Sequence, residues 1–309
     1  MATRDEPLFA FVLGTGRCGS SLIHEVLARH PDIGFVSNID DRLAPLGSKG
    51  RWNNAIYRRV PAELTRKGRI RFAPSEAYRI LDRQVSPMIS APSRDLVAAD
   101  ASPWVADRFE TFFRERARVQ GKPVFSHKFT GWPRAGFIDA VFPEARYVHV
   151  IRDGRAVAAS MVQMPWWGGY RGPDAWGWGP LPAGYRKEWE LSGRSFPVLA
   201  GVQWKMLLDA FQLAREAVDP ARWLDIRYED FLEDPGGTIE TIVAFLARPM
   251  SPVLRRSVGV YRLDASRRNA FRRSLSRDDL DALNTVLAGH LERYGYVEPG
   301  ERGTDALAT

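Results

Sequence analysis

The chain has 309 residues, 45% of them hydrophobic, with 44 Lys and Arg against 37 Asp and Glu for a net charge of +7. This composition excludes a disordered or collagen-like chain. The basic balance suits an anionic ligand, a nucleic acid or an acidic surface, without choosing among them. The single cysteine, Cys18, excludes an internal disulfide framework and a cysteine-rich zinc site, and it fits a reducing compartment.

Met1–Pro7 is polar, and Leu8–Leu13 is too short for a secretory apolar core. No run reaches the length of a membrane span, so the expectation is a soluble, cytoplasmic protein. Leu8-Phe-Ala-Phe-Val-Leu13 reads as a strand buried on both faces. A glycine-rich turn, Gly14 to Ser21, joins it to a helix that carries Leu22, Ile23, Val26 and Leu27, and His30-Pro31 ends that helix. Residues 38–100 are mixed, basic and weakly periodic. Trp104, Val105, Arg108, Phe109, Phe112 and Phe113 recur at helical spacing.

Val124-Phe125 and Arg146–Ile151 read as further strands, and a helix starts at Ala156 after the turn Arg152–Arg155. Residues 163–197 are rich in Trp, Gly and Pro. Helical spacing returns over Val202–Ala217, Trp223–Ile226 reads as a strand, and Asp234-Pro235 caps a helix through Leu246. A last helix starts at Ser276, with Asp279 in capping-box position and Leu280, Leu283, Leu287 and Leu291 on one face. Strands alternating with helices predict an α/β fold: one domain over residues 1–309, with a central parallel sheet flanked by helices. Residues 38–100 and 163–197 are expected as substrate-loop insertions above that sheet.

A glycine-rich turn between a buried strand and a helix aims backbone N–H groups and the helix dipole at one point, which makes an anion site. Gly14, Gly16 and Gly19 allow the tight backbone. Ser20 and Ser21 add hydroxyls, and Arg17 adds a forked cation for phosphate or sulfate oxygens. A Walker A loop is disfavoured because Ser20 stands where its lysine belongs. A dinucleotide fingerprint matches Gly14-Thr-Gly-Arg-Cys-Gly19 literally, and Asp40 or Asp41 could serve as its acidic partner. By this motif alone a nicotinamide enzyme therefore stays open.

The run Gly14-Thr-Gly-Arg-Cys-Gly-Ser-Ser-Leu-Ile23 resembles the 5′-phosphosulfate loop of sulfotransferases that use 3′-phosphoadenosine-5′-phosphosulfate (PAPS). Phe142 through Ser160 resembles their 3′-phosphate motif, in which the strand-ending arginine and a serine eight positions on, here Arg152 and Ser160, hold the 3′-phosphate. Arg227-Tyr-Glu-Asp-Phe-Leu-Glu-Asp-Pro235 and the ending from Ser276 to Tyr296 are similar to two further family segments. Within the family the chain looks closest to the bacterial, tyrosylprotein and carbohydrate branches.

The resemblance implies a P-loop-like fold and sulfuryl transfer from PAPS to an acceptor hydroxyl on a small molecule, glycan, lipid or peptide. It implies nucleotide contacts at Gly16, Arg17, Cys18, Gly19, Ser20, Ser21, Arg152, Ser160, Tyr228, Arg267 and Arg268. No metal, nucleic acid or membrane span is implied. A non-catalytic nucleotide- or nucleic-acid-binding protein is the remaining alternative, and no recognised nucleic-acid motif supports it.

Sulfuryl transfer resembles phosphoryl transfer, so positioning and positive charge do most of the catalysis. Arg17 and Lys128 are the expected catalytic cations. The steroid-and-phenol branch carries a histidine after this lysine and this chain does not, so the general base has no motif. By analogy with the tyrosylprotein branch, Asp40 and Asp41 are the first choices. His127 is a rival, although it and its neighbour Lys128 should face opposite sides of a strand. Asp100 is a third candidate. The tryptophans from Trp166 to Trp178 would form either an aromatic acceptor wall or packing over the core.

Overall fold

The computed structural model describes residues 6–42, 49–61, 72–261 and 268–297. Five strands form one all-parallel sheet: β1 Leu8–Gly14, β2 Ile33–Phe35, β3 Val124–Thr130, β4 Arg146–Ile151 and β5 Trp223–Arg227. Their order is β2-β3-β1-β4-β5, as predicted for an α/β fold. β1 lies at the centre. Leu8 faces Val124 and Gly14 faces Thr130 across one edge, and Ala10 faces Arg146 across the other. The strand order turns at β1, and in open parallel sheets ligands bind beyond the carboxyl ends of the strands at such a point.

Alternation along the inner strands sorts their side chains into two cores. On one face Ala10, Val12, Val124, Val148 and Val150 pack against Ile23, Val26 and Leu27 of α1, Ser20–Leu27, and against Ile239, Ile242 and Val243. On the other, Phe11, Phe125 and Phe129 meet Phe109 and Phe113 of the helix Pro103–Gln120, and Tyr147 stacks on Phe11. β2 is not predicted from sequence. It is three residues long and fully buried, and it pairs with β3 from Ile33 opposite Val124 to Phe35 opposite Ser126. Residues 38–100 are not an open loop where described. They contain the short helices Asn38–Arg42, Asn53–Arg59, Tyr78–Gln84 and Pro87–Ser90.

The chain divides into two compact units, Met1–Ile151 with Ala210–Ala265 and Arg152–Asp209 with Ser266–Thr309. The first holds the sheet. In the second, Asp153 caps the helix Gly154–Met161 by accepting from the Arg155 amide at 2.8 Å. Arg155 is itself buried. It pairs with Asp153 at 2.8 Å and donates to the Tyr296 carbonyl and the Asn284 side chain, both at 2.9 Å. That single guanidinium joins this helix to the C-terminal helix Arg277–Arg293. Ser276 caps the latter by accepting from the Asp279 amide, as its sequence predicts. Trp167 and Trp176 are buried, and Trp167 donates to Gln203 at 3.0 Å. Trp166 and Tyr170 are exposed, so the tryptophan-rich stretch divides between packing and surface. No helix among the described residues is long and apolar enough to cross a membrane.

In the first unit the turn after α1 is held by one amide. The buried Asn54 side chain donates toward the carbonyls of Ala28, His30 and Ile33 at 3.1, 2.8 and 2.9 Å. Asn54→Ala leaves these buried acceptors short of a donor. Its urea midpoint should fall by the equivalent of about 1–3 kcal/mol, and an unchanged midpoint would show that water replaces the amide.

Candidate active site

The loop after β1 is shaped by close contacts. A Cβ on Gly14 would collide with the Cys18 sulfur and lie 3.0 Å from the Val150 carbonyl. Cys18 is thus buried packing that fills the space the glycine leaves. Gly16 and Gly19 have φ of 89° and 94°, and a Cβ on Gly19 would run into the Tyr228 ring. The buried Tyr228 therefore supports the loop from below. Arg17 also takes a left-handed backbone, φ 54°, at a cost of about 1 kcal/mol, and its side chain is exposed. Ser20 is buried and Ser21 exposed at the start of α1, whose first turn carries no acidic residue. This is the backbone of an anion site at a helix N-terminus.

Beside it runs the carboxyl end of β3. Thr130 pairs with Gly14, and the Gly131 amide donates to the Gly14 carbonyl at 3.0 Å. Lys128 and Thr130 project from the same face of the strand. Lys128 is only 6% exposed, and its ammonium donates to the Glu76 carboxylate and, at 2.8 Å, to the Thr130 hydroxyl. The Thr130 hydroxyl also donates to Glu76. Burial works to raise the Glu76 carboxyl, but the Lys128 charge and these hydrogen bonds outweigh it and hold the carboxyl below its usual range. The Tyr78 hydroxyl accepts from the Thr130 amide at 3.2 Å. The buried Arg134 guanidinium donates to the carbonyls of Ile89 and Thr130 at 2.8 and 3.2 Å, which fixes the turn after the strand.

The sequence reading did not find Glu76. It lies 52 residues before Lys128 in a weakly periodic segment, two residues after Pro74, which bridges to Ser37. Asp40 accepts from the Ser37 amide at 2.9 Å, the Ser37 hydroxyl at 2.8 Å and the Asn53 amide at 2.5 Å. Asp41 accepts from the Ile80 amide at 3.0 Å. Both carboxylates hold the segment that carries Glu76. Asp100 forms a two-pronged pair with Arg94, both contacts 2.8 Å, which together with the Val97 amide holds it down at about 2. His127 faces away from Lys128, edge-on to Phe113 and Phe129.

In the second unit, Arg152 follows the end of β4 directly and Ser160 lies half-buried on the helix Gly154–Met161. Arg268 is exposed, and Arg267 lies outside the described residues.

The model of the sulfotransferase family matches residues 10–252. This chain belongs to that family. The chain is 25% identical over 143 residues to omega-hydroxy-beta-dihydromenaquinone-9 sulfotransferase Stf3 of Mycobacterium tuberculosis (strain CDC 1551 / Oshkosh) and of Mycobacterium bovis. That stretch is 44% of this chain, and the match covers only 30% of those relatives' length. The sulfotransferase domain of the Synechococcus PCC 7002 olefin synthase superposes with a TM-score of 0.51 at 18% identity, covering 95% of this chain and 97% of its own. Sulfotransferase STF9 from Mycobacterium avium gives 0.55 at 18%, covering 94% and 77%. These likenesses show the fold.

His24 on α1 and His127 on β3 are both buried close to Lys128. Burial, then the Lys128 charge, holds His24 down at about 3, while burial, then His24 and Lys128, holds His127 well below its ordinary 6.5. The unfolded chain therefore binds protons that the folded chain refuses, so stability falls as pH drops below about 6.5. Between pH 6 and 5 each histidine should contribute a slope of about 1.4 kcal/mol per pH unit. Urea titrations across that window should show a shallower slope in His127→Phe than in the unsubstituted chain. Parallel slopes would mean the imidazole charges in place.

Proposed function

We propose that this sulfotransferase takes PAPS as its donor and passes the sulfuryl group to an acceptor hydroxyl by in-line displacement. The observation that carries the reading is the Lys128–Glu76–Thr130 cluster at the carboxyl end of β3, with Thr130 paired to the glycine that opens the loop. In this reading the loop amides, Arg17, Ser20 and Ser21 hold the 5′-phosphosulfate. Arg152, which follows Ile151 at the end of β4, holds the 3′-phosphate with Ser160, and Arg267 and Arg268 are the further nucleotide contacts that the family resemblance implies. The whole chain then works as one sulfotransferase domain, with no metal in the reaction.

Glu76 is the proposed general base, in place of Asp40, which accepts from backbone and side-chain donors, and of Asp41, which accepts from the Ile80 amide. The acceptor O–H proton passes to Glu76 as the new oxygen–sulfur bond forms and the bond to the phosphate oxygen breaks, releasing 3′-phosphoadenosine-5′-phosphate (PAP). Lys128 neutralises the sulfuryl and bridging oxygens. The two roles are coupled. Once the donor draws the Lys128 ammonium away, burial is left to raise the Glu76 carboxyl, so the base strengthens when the electrophile is in place. The Stf3 likeness and the exposed Trp166 and Tyr170 favour an acceptor hydroxyl on an apolar body, such as a lipid.

Glu76→Gln should cut turnover by about two orders of magnitude or more and leave PAP affinity unchanged, whereas Asp41→Asn should retain turnover. Steady-state assays with labelled PAPS over a panel of hydroxylated lipids, glycans and tyrosine peptides make the comparison. Normal turnover in Glu76→Gln would remove the base assignment. In Lys128→Ala the lowering charge is gone, so the acid limb of the residual pH–rate profile should move to higher pH, and a limb that stays in place would uncouple the pair. PAP should raise the melting temperature more than AMP does, with the difference lost in Arg152→Ala. Equal shifts in the unsubstituted chain would remove the 3′-phosphate site.

A further inference from the structure

The first unit has a second cavity, at the edge of the sheet opposite the glycine loop. It encloses about 730 Å³ beneath Leu8, Val124 and Arg146, the first residues of β1, β3 and β4. Its interior is apolar, formed by Leu8, Ala117, Val124 and Leu246. Its polar wall is cationic: Arg114, Arg118, Lys122, Arg146 and Arg248, with Glu6 the single acid.

Among the described residues the charges are only partly balanced, with Asp32 acting on Lys122. Arg114 is engaged by Glu110 at 2.6 Å and by the exposed Glu6 at 3.0 Å. Four cations remain. The helices Pro103–Gln120 and Pro235–Phe245 end at this cavity, and each carboxyl end contributes about half a negative charge. Arg146 donates to the carbonyl of Phe245 at one of those ends. The two helix ends together offset about one of the four charges.

The Arg248 Nε is buried and has no hydrogen-bond partner among the described residues, which is costly for a charged donor. Burial, then the neighbouring Arg58, holds the Lys122 amine below its ordinary value, with Asp32 opposing them. A half-open apolar cleft walled by excess positive charge and an unmet charged donor suits a molecule with an anionic head and an apolar body.

We propose that this cavity binds an amphipathic organic anion, at a site separate from the sulfuryl-transfer centre. The anionic head meets Arg118, Lys122 and Arg248, and the apolar body lies against Leu8, Val124 and Leu246. The chemistry admits a carboxylate or a monophosphate head.

Isothermal titration of the full chain tests this with three probes: decyl phosphate and decanoate below their micelle concentrations, and decyltrimethylammonium, which has the same tail with the opposite charge. One or both anions should bind once per chain, about tenfold or more tighter than the cation. Arg118→Gln combined with Arg248→Gln should weaken that binding by about tenfold or more, while Arg17→Ala leaves it unchanged. If the double variant fails to fold, Arg118→Glu, on the exposed face of its helix, should produce the loss. Absence of binding, equal binding of the cation, or binding that Arg17→Ala abolishes and the Arg118 and Arg248 variants preserve would each overturn the proposal.

Discussion

A lysine buried at the end of a central strand must find its counter-charge in the protein, and much of the structure around β3 answers that requirement. Lys128 has a side chain only 6% exposed, and an isolated ammonium in that position would lose its proton or unfold its surroundings. Glu76 supplies the negative charge and Thr130 a further oxygen. Removing either partner strands the other. His24 and His127 belong to the same account, since burial first, and then neighbouring positive charge that includes Lys128, holds both imidazoles below their ordinary value.

Holding Glu76 in place takes a second layer of contacts. Its segment crosses the outer edge of the sheet through the pairing of Ser37 with Pro74. Asp40 ties Ser37 to Asn53, and Asp41 accepts from the first turn of the helix Tyr78–Gln84. The two acids that stand where a base is expected from sequence thus take part in this layer of contacts. Asp40 accepts from three N–H and O–H donors, which makes it a poor proton acceptor, whereas Glu76 is held by the Lys128 ammonium and the Thr130 hydroxyl.

The loop after β1 depends on crowding more than on flexibility. Gly14 leaves the space that Cys18 fills, and Gly19 lets the Tyr228 ring lie directly beneath the turn. Arg17 accepts a strained backbone there, the kind of local cost that sites of function retain when the surroundings over-determine it. In the second unit, Asp153 and Arg155 are likewise structural: their paired charges join two helices to Tyr296. Of the four residues in the turn Arg152–Arg155, it is Arg152 to which the family resemblance assigns the proposed phosphate contact.

The sequence by itself determined the inner strands, the glycine loop, the capped helices and the family. Each rests on local order: continuous apolar runs, helical spacing, and glycines and caps at fixed offsets, all of which act within a few residues of one another. Lys128 was legible too, because a strand carries it to a predictable edge. Glu76 and β2 were not. β2 is three residues containing a glycine, and it becomes a strand only because β3 offers an open edge. Glu76 gains its character from a lysine 52 residues away. Which carboxylate meets that charge, and which are spent on backbone amides, is a matter of distances across the chain, and only the tertiary structure decides it.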